Sequence, residues 1–270
     1  MKRIIFLVTA LVLIPAAMSL SGCRRGAASS GHYTLEIGGS TSVAPAMELL
    51  AAAYMEANPS IRINVNGTGS SDGIRNAGVL YQLGMTSRDL TPAELGMGLN
   101  QQVIAIDGIA VIVHGSNPLR DLSLERIRAI YTGEITDWSE ISDSKSGPIA
   151  VVTREEGSGT RGAFEELAGF PGRLRPGAVE GPSTGAVRSA VAGNPNAIGY
   201  VSLGSVDASV RAVSVDGIEA TVDGVRSGSY RIARPFILLY NDLHPAGRAF
   251  LDWVISDGQS IVAGNWIPIN

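Results

Sequence analysis

The sequence predicts an α/β protein built as two lobes, and three observations carry that reading. From residue 32 onward, short strand-like runs alternate repeatedly with helix-like ones, the pattern of βα units. Glycine is abundant, with 33 residues, and aromatic side chains make up only 6%. That composition suits many tight loops between buried strands better than a sandwich. Finally, 270 residues with 45% hydrophobic and 17% charged content are enough for about two domains with real cores.

The elements follow in order. "YTLEIGG" (33–39) reads as a strand. "TSVAPAMELLAAAYMEANPS" (41–60) has Val43, Met47, Leu50 and Tyr54 at helical spacing, with Asn58-Pro59 as its stop. "IRINV" (61–65) alternates like a strand, and "GTGSSDGIRNAG" (67–78) is a Gly-Ser loop entering a short helix. "YQLGMTSRDLTPAE" (81–94) is a strand, a loop and a Thr-Pro helix start. "QVIAIDGIAVIVHGSNP" (102–118) reads as two apolar runs parted by Asp107-Gly108. A second series begins near residue 119. "LSLERIRAIYTGEITDWSEI" (122–141) is a helix and a Trp-bearing turn, and "PIAVVTREEGSGTRGAFEELAG" (148–169) is strand, loop, helix. "GPSTGAVRSAVAGNPNAIGYVSLG" (181–204) is loop, helix, strand. "RPFILLYND" (234–242) is an apolar strand, and 245–265 ends the chain as helices.

The first 22 residues read as a processing signal. Lys2 and Arg3 precede an apolar run over 4–18 that is broken by Pro15 and shorter than the ~20 residues of a membrane span. "LSGC" (20–23) then leads to Cys23, the single cysteine of the chain, in the manner of a bacterial lipobox. The expectation is cleavage before Cys23, a lipid on its sulfur, and a short tether over 23–31. With one cysteine, no disulfide is available to the exported domain. Losing Lys2 and Arg3 leaves 19 basic against 25 acidic residues, a net charge of −6. An acidic surface without basic clusters argues against a nucleic-acid partner.

One device recurs. "GGSTSVAP" (38–45), "GTGSSDG" (67–73) and "EEGSGTRG" (155–162) each run from a strand through a Gly- and Ser-rich turn into a helix, and "GMTSRD" (84–89) adds a Ser-Arg loop after a strand. The first turn of a helix leaves backbone N–H groups unpaired at the positive end of the macrodipole, so each is an anion cradle. A single Ser-rich turn is an ordinary cap. Three of them at the carboxyl ends of strands, beside Arg154, point to convergence on one small anion.

These stretches, together with "IAVIVHGSNPLRDLSLERIRAIYTGEITDW", "NAIGYVSLG" and "RPFILLY", resemble the phosphate-binding proteins of bacterial phosphate ABC importers over nearly all of the chain beyond the signal. The resemblance implies a two-lobed periplasmic-binding-protein fold of type II, with the lobes joined by a two-strand hinge. Lobe one would take 32–110 plus 234–270 and lobe two 111–233. It implies an extracytoplasmic, lipid-anchored monomer that captures inorganic phosphate and delivers it to ABC transporter permease subunits, with no catalysis and no cofactor.

By motif, the resemblance assigns phosphate contacts to Thr41 and Ser42 of the first loop and to Ser70, with Ser71 beside it, in the second. From the Arg-x-x-x-Ser-Gly-Thr stretch it assigns Arg154, Ser158, Gly159 and Thr160. Ser87 falls where several members carry an Asp that accepts the phosphate proton. The candidates for that acceptor here are Ser87, Asp89, Asp72 and Glu155. Against them, Asp89 reads rather as a cap of the "LTPAE" turn, and Glu155 and Glu156 as solvated. Arg88 has two readings, as a partner of the anion or of a nearby acid.

Other functions weigh differently. A different oxyanion (sulfate, tungstate or molybdate) keeps the fold and changes the ligand, and a phosphate sensor or surface adhesin keeps the ligand without a transporter. A hydrolase with Ser158 as nucleophile would need a base in reach, and no histidine lies near a Ser-rich loop. The scattered His32, His114 and His244 show no metal-ligand spacing, so no metal site is expected.

Overall fold

The structure is a computed structural model that describes residues 32–270; the signal over 1–22, Cys23 and the tether lie outside the described residues. Among the described residues the chain runs β1 (Tyr33–Gly39), α1 (Ala44–Ala57), β2 (Ile61–Gly67), α2 (Ser70–Asn76), β3 (Leu83–Thr86), α3 (Pro92–Leu95), β4 (Asn100–His114), β5 (Asp121–Leu122), α4 (Leu124–Thr132), β6 (Ala150–Arg154), α5 (Gly159–Leu167), β7 (Val179–Gly181), α6 (Thr184–Ala192), β8 (Ala197–Ser202), β9 (Val210–Ala212), β10 (Ser214–Val215), α7 (Val222–Arg226), β11 (Ala233–Tyr240), α8 (Pro245–Val254) and α9 (Gln259–Val262). The strands pair in the order β2-β1-β3-β11-β4-β8-β6-β7, with β9 also on β4 and a separate β10-β5 pair.

One strand, β4, carries the sheet from one half of the molecule to the other. The first part of β4 pairs antiparallel with β11, from Asn100↔Tyr240 to Gly108↔Ala233. Its second part pairs with β8, from Ile109↔Ser202 to Val113↔Ile198. The two apolar runs expected around Asp107-Gly108 are therefore one strand of 15 residues. Asp and Gly are poor strand formers, but context overrides that preference. Arg234 is the ladder partner of Asp107, and its guanidinium Nη2 lies 3.2 Å from the carboxylate, so the charge is paired inside the sheet.

The alternation of side chains along each strand feeds a core on each face. In β11, Phe236, Leu238 and Tyr240 join Leu35, Ile37, Met47, Leu50 and Phe250 under α1 and α8, while Ile237 and Leu239 pack on Ile74, Ala77 and Leu90. In β4, Ile109, Val111 and Val113 face a cluster with Ile127, Ile130, Trp138, Phe164 and Tyr200, while Ala110 and Ile112 face Val152, Val187 and Val191. This is a two-lobed α/β architecture with helices on both faces of each half of the sheet. The elements missing from the sequence reading (β5, β7, β9, β10 and α7) span two to five residues, too few to show a period.

Candidate functional site

The opening of α5 is positioned from within its own half. Phe164, fully buried, stacks on Tyr200 at 4.1 Å between ring centroids and meets Tyr131 edge-on at 5.0 Å. Tyr200 in turn shares a 2.8 Å hydrogen bond with Thr153 Oγ1, and its hydroxyl accepts from the Arg154 backbone N–H at 3.3 Å. The aromatic cluster thus sets both the end of β6 and the first turn of α5. Ser158 caps that turn, its Oγ accepting from the Arg161 N–H.

In the other half, glycines bring the second cradle close. A Cβ on Gly39, whose φ is +135°, would lie 2.2 Å from the Met85 carbonyl oxygen and 2.9 Å from Gly73 Cα. Only bare backbone allows α2 to pack this closely on the ends of β1 and β3. The result places Ser70 and Ser87 side by side. The Ser87 N–H donates to Ser70 Oγ at 3.2 Å, and the two hydroxyl oxygens are 3.4 Å apart.

The two halves meet at these loops. Ser42 Oγ lies 2.8 Å from Thr160 Oγ1 and 2.9 Å from Thr184 Oγ1, and Thr41 Oγ1 lies 3.2 Å from Thr184 Oγ1. The Ser71 N–H donates to the Gly157 carbonyl at 3.0 Å. A Cβ on Gly159 would fall 2.4 Å from Ser70 Oγ and 2.9 Å from Ser87 Oγ, so the absence of a side chain there is what lets the halves approach. Eight of the nine residues singled out in sequence lie in this seam with Ser71 at its rim. Ser42, Ser70, Ser87, Arg154, Ser158, Gly159 and Thr160 are buried, and Thr41 and Ser71 are half-buried. Cys23 lies outside the described residues.

Charge is supplied by Arg154, which is 2% exposed. Its Nε and Nη2 donate to the two oxygens of Glu155 at 2.8 and 2.7 Å, and its Nη1 points to Thr184 Oγ1 at 3.3 Å. Glu155 is therefore not the solvated acid expected of it; the adjacent buried guanidinium draws it in. Arg88 takes the second of its two readings and pairs with Glu94 at 2.7 and 2.8 Å, and this bond holds the Glu94 carboxyl down to about 2. Asp89 is exposed and does not cap α3. That role falls to Thr91, whose Oγ1 accepts from Glu94 N–H while Glu94 reaches back to Thr91 N–H. Asp72 accepts from Asn76 Nδ2 at 2.8 Å and from the Tyr81 hydroxyl at 3.0 Å.

Sequence reasoning missed four contributors. Thr184, at the start of α6, touches Thr41, Ser42 and Arg154, and its signal, "PSTG" before an apolar helix, was a fourth copy of the same device. Ser40 donates to Ser87 Oγ at 2.9 Å. Arg234 and Asp107, 3% and 0% exposed, lie directly behind Ser87; neither sits in a recognisable motif, and only the pairing of β4 with β11 brings them together. Burial pushes the Asp107 carboxyl up to about 6, against the opposing pull of Arg234 and of the Ser202 hydroxyl. Among the described residues no three His, Cys, Asp or Glu side chains cluster as a metal site would require, and no helix is long and apolar enough to cross a membrane.

Two α/β halves joined through a crossing strand, with hydroxyls and a buried arginine converging between them, define a two-lobed binding protein. The family model for the PBP superfamily domain matches residues 25–258, and the chain belongs to that superfamily. Among solved structures, it is 44% identical to a protein from Clostridium perfringens assigned as a phosphate ABC transporter substrate-binding protein, with bound phosphate. That likeness covers 88% of this chain and all of that one with a TM-score of 0.85. An ABC-type phosphate transport receptor from Vibrio cholerae is 34% identical, with 87% of this chain and 100% of that one covered and a TM-score of 0.71. Among curated proteins, phosphate-binding protein PstS 2 of Streptococcus agalactiae is 41% identical over 145 residues, which is 49% of this chain. The chain thus spans about half the length of the streptococcal relatives it matches. Phosphate-binding protein PstS of Borreliella burgdorferi is 26% identical over 97% of this chain and 96% of that protein.

Proposed function

We propose that this protein captures inorganic phosphate between its two lobes outside the cytoplasm and delivers it to the permease subunits of an ABC importer. The observation that carries the reading is the convergence of Ser42, Ser70, Thr160 and the buried Arg154 at the seam of the two halves, in a chain 44% identical to a structure holding phosphate. Thr41, Ser42, Ser70, Ser71, Ser87, Arg154, Ser158, Gly159 and Thr160 are the proposed phosphate contacts. A buried guanidinium and a ring of N–H and O–H donors match a tetrahedral oxyanion.

Capture follows from lobe closure, with lobe one taken as 32–110 plus 234–270 and lobe two as 111–233, and with β4 and β11 as the hinge. The separate cores of the two halves, one drawn from both ends of the described chain, support that division. Binding proceeds without bond breaking. Ser158 is occupied as a helix cap, and His114 and His244 are engaged elsewhere, His114 with Ser116 and His244 at the start of α8. The protein acts as a monomer held to the membrane by a lipid on Cys23, needs no cofactor and takes no nucleic-acid partner. Titration calorimetry with phosphate tests the ligand. Intact-mass analysis of the native protein tests the anchor: acyl mass on Cys23 is expected, and its absence would contradict the lipid assignment.

A further inference from the structure

Arg234 is 3% exposed and stands between two partners. Its Nη1 donates to the Ser87 carbonyl at 3.2 Å and to Ser87 Oγ at 3.4 Å, and its Nη2 donates to Asp107 at 3.2 Å. Ser87 faces the seam, its Oγ lying 2.9 Å from the point a Cβ on Gly159 would occupy. The order inward from the seam is therefore Ser87, guanidinium, carboxylate. The positive charge stands nearer the seam than the negative charge that balances it.

A buried ion pair in this order is a dipole with its positive end toward a bound anion, and buried charges are screened far less than exposed ones. Arg234 Nε has no acceptor, and Asp107 is the one carboxylate paired with this guanidinium among the described residues. Burial lowers Arg234 from the ordinary guanidinium value against the pull of Asp107, and the charge of Arg154 lowers it further, so the two cations lie within each other's field. Their counter-charges differ. Glu155 is half-buried, whereas Asp107 is 0% exposed. The groups facing Asp107 are Arg234 from β11, the Ser202 hydroxyl from β8 at 2.8 Å, the Gly204 backbone N–H and Tyr230, whose hydroxyl donates to the Ile109 carbonyl. Of these only Arg234 is charged at neutral pH.

We propose that Arg234 is a second cation of the anion site, acting on the bound oxyanion through space, and that Asp107 sets how much of that charge the ligand feels. The inference rests on the phosphate reading above and adds an affinity determinant to it. Neither residue needs to touch the ligand. Neutralising Asp107 alone leaves the guanidinium unbalanced and tightens binding; neutralising both removes the dipole and weakens it.

Titration calorimetry of the full chain with phosphate tests these opposite signs. Asp107→Asn should bind about 10-fold more tightly than wild type at about pH 8, where the wild-type carboxylate is charged. Arg234→Gln combined with Asp107→Asn, which leaves no lone buried charge, should bind more weakly than wild type. A pair that only held the fold would give no gain in affinity on losing one member. The ratio of Asp107→Asn to wild-type affinity cancels the ionisation of phosphate itself. That ratio should fall toward one by about pH 5, because burial places the Asp107 carboxyl at about 6 and wild type is protonated there too. Ser202→Ala keeps the ion pair and removes a hydrogen bond that favours the charged carboxylate, so it reads the same effect if Asp107→Asn does not fold. It should match wild type at about pH 8 and bind more tightly between about pH 6 and 7. A folded Asp107→Asn protein that binds no more tightly than wild type, a ratio constant with pH, a paired variant of wild-type affinity, or Ser202→Ala matching wild type at every pH would each overturn the inference and leave the phosphate reading intact. Failure of wild type to bind phosphate would contradict that reading and the inference with it.

Discussion

Arg154 and Glu155, neighbours in the chain, are joined by two parallel hydrogen bonds of 2.8 and 2.7 Å, and the remaining amino group of the guanidinium points across to Thr184 at 3.3 Å. The carboxylate orients the fork and leaves Nη1 at the junction of the two halves. Arg154→Ala is therefore expected to cost about 2–5 kcal/mol of phosphate binding, roughly 30-fold or more in affinity. Calorimetry alongside a melting curve checks this: near wild-type affinity in a folded variant would remove Arg154 from the binding account.

Thr184 makes contacts with Thr41, Ser42 and Arg154 that no other described side chain combines. Thr184→Val keeps its volume and removes its hydroxyl. The expected loss is about 1–2 kcal/mol, roughly 5- to 30-fold in phosphate affinity. Stability should change little, because the hydroxyl contacts bridge the halves and do not hold either core. Unchanged affinity would show the Thr184 contacts to be incidental.

Gly159→Ala isolates closure from folding. The added methyl would lie 2.4 Å from Ser70 Oγ, across the seam, while alanine suits the first turn of a helix better than glycine. Melting temperature should be unchanged or slightly raised, and phosphate affinity should fall by at least about 10-fold. Retained affinity would mean the halves do not need to approach this closely.

How much of this was legible in the sequence depended on how local the signal was. The helices α1, α5 and α6 and the strands β1 and β6 were readable because period and cap lie within one stretch, as with Ser158 ahead of Phe164 and Leu167. Ser42, Ser70, Arg154 and Thr160 were readable because each sits in a Gly-Ser turn after a strand. Asp107 and Arg234 were not, because their meaning comes from a ladder pairing 127 positions apart. The Asp107-Gly108 pair even argued for a break, which the buried arginine opposite it removes. Glu155 was misjudged for a similar reason: in sequence it is one of two adjacent acids, and only the burial of Arg154 makes it the one that pairs.

The Asp107–Arg234 pair carries a pH signature. Burial pushes the Asp107 carboxyl from 3.8 up to about 6, so between those values the folded chain holds a proton that the unfolded chain has lost. Stability from this group is full below the lower value and falls as pH rises through the window. Asp107→Asn cannot titrate. Across pH 4 to 6, the melting-temperature difference should therefore shift steadily in favour of the Asp107→Asn protein. A constant difference would show that Asp107 titrates alike in both states.

The central claim is that the seam between the halves binds inorganic phosphate. Its most direct test is titration calorimetry of residues 32–270 with phosphate. One phosphate per chain is expected, with binding lost or severely weakened in Arg154→Ala under the same conditions. No heat from phosphate, or a phosphate isotherm that Arg154→Ala leaves unaltered, would contradict it.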